Sequence, residues 1–130
     1  MKLFTLEYIN IYYDEKLKLL EYHWKKNSEN LTDEKYKQTI EEFIKITRTF
    51  EPSYLIGNLT NQNFVLSAEI WQWIIKVALI EFFNSGIKKI AFINSQYTFA
   101  KSIYKTLLEN FENIHFFADR EQALKWIMEK

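Results

Sequence analysis

Few side chains in this sequence are of types that do chemistry, and their spacing organises fewer still. The two histidines, His23 and His115, are far apart in sequence, and neither has a spaced carboxylate partner. Each reads as a structural or sheet-edge residue rather than a catalyst or metal ligand. Cysteine is absent, which removes thiolate nucleophiles, disulfides and Cys-ligated zinc. No Ser-His-Asp set, HExxH helix or glycine-rich phosphate loop is present, so nothing points to an enzyme, a metal or a cofactor.

The remaining candidates are neutral. Asn58-Leu59-Thr60-Asn61-Gln62-Asn63 is polar yet uncharged, and between Pro52 and Ile75 the only formal charge is Glu69. Asn58, Thr60, Asn61 and Asn63 can hydrogen-bond a small ligand or a partner backbone, or simply serve as a turn. Ser67 precedes an apolar helical run and reads as its N-cap; with Thr60 it is also a candidate phosphate acceptor.

The elements that position these residues follow from periodicity. Leu3 to Tyr13 alternates with period two and reads as one strand, and Leu17 to Trp24 as a second. The polar break Asp14-Glu15-Lys16 joins them as a hairpin. Thr32 caps a first helix through Tyr36, Ile40, Phe43, Ile44, Thr47 and Phe50, with Glu41 and Lys45 paired on its solvated face. Pro52 ends it. The charge-free run from Tyr54 to Leu59 predicts a strand covered on both faces.

A second helix runs from Ser67 to about Asn84 and closes at Gly86. Trp71, Ile75, Ala78, Leu79 and Phe82 fall on one side of it. Trp73, Val77 and Ile80 fall near the opposite side, and a helix apolar on both sides is either sandwiched within the fold or docked to another chain, which makes these three a candidate interface. Ile87 to Asn94 is a further strand, Ala100 to Phe111 a third helix, and Ile114 to Ala118 a last strand. Asp119 with Gln122 opens a final helix. The expected order is β-β-α-β-α-β-α-β-α, an α/β fold with a mixed sheet in a single domain spanning 1–130.

Composition sets the outer bounds. Of the 130 residues, 48% are hydrophobic and 18% aromatic, enough for a core. Lys plus Arg and Asp plus Glu both number 17, a balance that removes the electrostatic drive for nucleic-acid binding. The N-terminus lacks a signal peptide's apolar run, and Ile70 to Phe83 is broken by Gln72, Lys76 and Glu81, so stable membrane insertion is not expected. The expected location is the cytoplasm.

Several of these segments together resemble a known group. Trp24, Thr32-Asp33-Glu34-Lys35-Tyr36, the Tyr54-to-Leu59 strand, Glu69 and Trp71-Gln72-Trp73-Ile74 are among the matching features. Lys89-Ile90-Ala91-Phe92, Phe117 and Ala123-Leu124-Lys125-Trp126-Ile127 complete them. The chain resembles small stand-alone STAS-like proteins of bacteria, which have the SpoIIAA-like fold, and more distantly CRAL-TRIO domains. The resemblance implies a non-enzymatic protein-interaction or regulatory module, with a protein partner or homodimer. It leaves two alternatives: a small-ligand or lipid-binding domain with an apolar pocket, and a phospho-regulated partner switch. Relatives of the latter kind carry an Asp-Ser-Ser-Gly-like setting after the central strand. Here Asn58 stands in the Asp position and no Ser-Ser-Gly follows, which leaves only Thr60 and Ser67 as hydroxyls.

Overall fold

The computed structural model describes residues 2–29, 31–62, 64, 66–93, 108 and 110–129. Strands β1 (Lys2–Thr5), β2 (Ile9–Asp14) and β3 (Leu19–Trp24) form an antiparallel meander. From β3 onward the sheet is parallel, through β4 (Tyr54–Asn58), β5 (Lys89–Ile93) and β6 (Ile114–Phe117). Spatial order equals sequence order, β1-β2-β3-β4-β5-β6.

The meander corrects the expected hairpin. Leu3 to Tyr13 is two strands rather than one, because the chain reverses where the Leu6 N–H donates to the Ile9 carbonyl at 2.9 Å. The core-facing positions change phase across this turn, from Phe4, Leu6 and Tyr8 to Ile9, Ile11 and Tyr13, and because Tyr8 and Ile9 are both apolar the change does not interrupt the apolar run. The second turn is where the polar break places it. Asp14 Oδ1 accepts the Leu17 N–H at 3.1 Å, and Lys18 takes the left-handed conformation at φ 54°.

Helix α1 (Asp33–Phe50) starts and stops where expected. Thr32 Oγ1 accepts the Lys35 N–H at 3.2 Å, and Glu51 adopts a left-handed cap ahead of Pro52. Its buried stripe of Tyr36, Ile40, Phe43 and Ile44 lies on the first face of the sheet. Complete burial of Phe43 contributes about 2–3 kcal/mol.

The second helix is continuous but not uniform. An α segment, α2 (Ala68–Trp73), passes through a π turn (Ile74–Ala78) into α3 (Leu79–Asn84). The π turn carries one residue more than an α turn and shifts the phase of the buried stripe. Ile74 is therefore buried and Ile75 only half-buried, opposite to what uniform 100° spacing predicts. At the far end Gly86, with φ 100°, completes a Schellman motif, its N–H on Phe83 O and that of Ile87 on Phe82 O. Of the expected helix over Ala100 to Phe111, most lies outside the described residues; Leu108 is buried in the first core.

The last helix, α4 (Arg120–Met128), crosses to the other face. Asp119 Oδ1 caps it by accepting the Gln122 N–H at 2.9 Å. Ala123 and Ile127 pack there with Leu19, Ile56, Ala91 and Ile93. Helices thus cover both faces of β4, as its charge-free sequence implies, and α4 lies chiefly over β5, β6 and β4. Among the described residues, no helix is long and apolar enough to cross a membrane.

Candidate functional site

Strand alternation puts Tyr12, Glu21 and His23 on the sheet face that α4 only partly covers, since Tyr12 is registered with Glu21 across β2 and β3. Glu21 is 4% exposed, an unusual burial for a carboxylate. It is fully matched. Arg120, the first residue of α4, points its Nε at 3.0 Å from each carboxylate oxygen and a second guanidinium nitrogen at 2.9 Å from Oε1. His23 Nε2 lies 2.7 Å from Oε2. Burial by itself would raise the Glu21 carboxyl, but the hydrogen bonds from His23 and Arg120 outweigh it and hold the group below its ordinary value.

This arrangement overturns one expectation. His23 does have a carboxylate partner, two residues away on the same strand face. The signal was local and readable: an acid inside a buried alternating strand, spaced i, i+2 from a histidine. Arg120 gave no such signal, because it joins the cluster from the opposite end of the chain. A cup of about 260 Å³ opens above the group, lined by Tyr12, Glu21, His23 and Arg120. Tyr12 meets the His23 ring edge-on at 5.0 Å.

Asn58 adjoins this cluster, being registered with His23 across β3 and β4. Its Oδ1 accepts the Thr60 N–H at 3.0 Å, a turn that also exposes Thr60 and Asn61. Asn63 lies outside the described residues. Ser67 acts as the helix cap, Oγ accepting the Ile70 N–H at 3.2 Å. His115 is structural in its surroundings, stacked on Trp126 at 4.4 Å with Nε2 at 3.2 Å from Glu112 O. No metal-binding group of His, Cys, Asp or Glu occurs among the described residues.

The second helix presents a separate surface. Trp73 is half-buried against the core with the Lys37 ammonium 5.6 Å above its ring. Val77 and Ile80 are 42% and 51% exposed. Trp73 and Val77 border a groove of about 210 Å³ against α1, whose other walls include Glu41, Lys45 and the Arg48–Glu81 ion pair. On the inner side of the same helix, a cavity of about 40 Å³ is lined by Tyr22, Tyr36, Ile74, Ala78 and Phe92, among others. Burial pushes both tyrosine hydroxyls up from their ordinary value.

Comparison of the chain with family models, curated proteins and solved structures gave no match.

Proposed function

We propose that this chain is a non-enzymatic, STAS-like interaction module that pairs with a second copy of itself through Trp73, Val77 and Ile80. The carrying observation is the exposure of Val77 and Ile80 on one helical stripe with Trp73. Large aliphatic side chains spaced i, i+3 at the surface leave an apolar strip that water solvates poorly, and a partner removes it from water.

Charge favours a second copy as the occupant. The groove beside the strip carries Glu41 and Glu81 together with Lys45 and Arg48, so both signs are present on one surface. A two-fold axis sets such a surface against itself with acid facing base. The formal net charge of zero adds no repulsion between copies.

The architecture is compatible with the resemblance. An antiparallel N-terminal part leads into parallel strands, with helices between β3 and β4 and between β4 and β5, and with one more strand among the described residues than expected. The 40 Å³ cavity offers less support to a lipid-binding reading, since pockets that enclose drug-sized ligands run to roughly 300–1,000 Å³.

Light scattering after size exclusion tests the proposal on the wild type and Ile80→Lys. A wild-type dimer that becomes monomeric in the variant is the expected result. A wild-type monomer across the accessible concentration range would sink it.

A further inference from the structure

The polar cluster on the open sheet face plays no part in pairing through the second helix, and its chemistry is specific enough to suggest a ligand. A carboxylate can only accept hydrogen bonds, so the proton between Glu21 and His23 belongs to Nε2, an assignment made from the hydrogen-bond network. In the neutral imidazole this leaves Nδ1 as an acceptor, on a side chain that is 33% exposed. Arg120 spends Nε and one terminal nitrogen on Glu21. Among the described residues none takes the two N–H donors of its other terminal nitrogen, on a side chain 44% exposed. Tyr12 adds a hydroxyl and an aromatic face to the same cup.

The charges limit what can bind. Arg120 is neutralised by Glu21, and Asp14 also acts on it through space. An anion would be repelled by the Glu21 carboxylate beneath the cup and, at longer range, by Asp14, while a cation would meet the guanidinium that lines the cup. The remaining choice is a neutral molecule that both donates and accepts, as hydroxyl groups do. The cup, at about 260 Å³, lies just below the range of drug-sized pockets, so the molecule is small. Glu21 and Arg120 fix each other, which holds the surroundings of His23 in place before any ligand arrives.

We propose that Tyr12, Glu21, His23 and Arg120 form a site for a neutral, hydroxyl-bearing small molecule the size of one sugar ring, with His23 Nδ1 accepting a ligand hydroxyl. The ring of Tyr12 covers the ligand's C–H face, and the outer N–H groups of Arg120 donate to its oxygens. Glu21 positions the imidazole and does not touch the ligand.

Nitrogen-15 correlation spectra of the full chain test this with glucose and myo-inositol as neutral probes. Inorganic phosphate and methylammonium serve as the charged ones. The expected result is that a neutral probe shifts the amides of residues 10–12, 21–23 and 120 at millimolar concentration. His23→Gln, whose amide can still donate to Glu21 but whose carbonyl oxygen is not held where the ring places Nδ1, weakens that binding about tenfold. Tyr12→Ala, at a half-buried surface position, weakens it as well and decides the matter if His23→Gln does not fold. The proposal is overturned if neither neutral probe shifts these amides, or if a charged probe binds there more tightly. It is equally overturned if the folded variants bind the neutral probe as the wild type does.

Discussion

Arg120 spans both carboxylate oxygens of Glu21 from 99 positions away, joining the first turn of α4 to the third strand of the sheet. The contact lies between a side chain buried in the sheet face and one largely at the surface. Removing Arg120 would leave the Glu21 carboxylate desolvated and short of donors, whereas removing Glu21 lets Arg120 return to water.

This asymmetry predicts that Arg120→Ala destabilises the fold by about 1–3 kcal/mol near neutral pH and that Glu21→Gln costs less. The pH dependence has a definite sign. The folded-state value of Glu21 is depressed, so its contribution is complete above the ordinary carboxylate value of about 4.3. It is lost as pH falls through the lower folded value. Urea titrations between neutral and acidic pH should show a smaller loss of stability in Glu21→Gln than in wild type. Equal losses would contradict the assignment.

Gly57 is required by the Tyr22 side chain beneath the second helix. A Cβ at Gly57 would sit 2.7 Å from the Tyr22 Oη and 2.8 Å from Phe92 Cδ1. Both neighbours are packed rings in the first core or against it. Gly57→Ala therefore destabilises by about 1–3 kcal/mol through overpacking. Tyr22→Phe removes the closest atom but leaves Cζ at 2.9 Å, so the double variant recovers only part of that loss. A double-mutant cycle by chemical denaturation measures the coupling, and strict additivity would refute it.

The surface strip separates association from stability. Ile80 is half-exposed, so Ile80→Lys should change monomer stability by no more than about 0.5 kcal/mol while abolishing pairing. Trp73→Glu should do both, because Trp73 packs on the core beneath Lys37. Thermal melts read beside light scattering distinguish the two. A Trp73→Glu protein as stable as wild type would place that ring outside the core.

These contacts also mark how far the sequence could be read. Helix starts at Thr32, Ser67 and Asp119 were legible, because a cap needs only a side-chain oxygen and an amide three residues on. The double-sided burial of β4 was legible from its lack of charge. The turn between β1 and β2 was not, since Leu6-Glu7-Tyr8 contains none of the residues that usually mark turns. Nor was the π turn, whose extra residue leaves the apolar pattern nearly intact. In the candidate site, Glu21 and His23 could have been paired from their spacing. Their link to Arg120 depends on how α4 crosses the sheet, which no local pattern encodes.

Lys89 holds the other end of that crossing. Its ammonium donates to the carbonyls of Trp126 at 2.9 Å and Glu129 at 2.8 Å, and lies 5.0 Å from the centre of the Trp126 ring. A cation at a helix C-terminus satisfies carbonyls that have no partner within the helix and opposes the negative end of the dipole. The helix is short, and its deepest anchors are the small Ala123 and the single Ile127. Lys89→Met keeps most of the stem's volume and removes only the charge and its donors. It should cost about 1–2 kcal/mol and raise amide exchange selectively in the last turn of α4. The N-terminal turn, fixed independently through Arg120 and Glu21, should keep its protection. Uniform loss of protection along α4 would instead mean that the helix docks as one unit and that the two charged ends do not act separately.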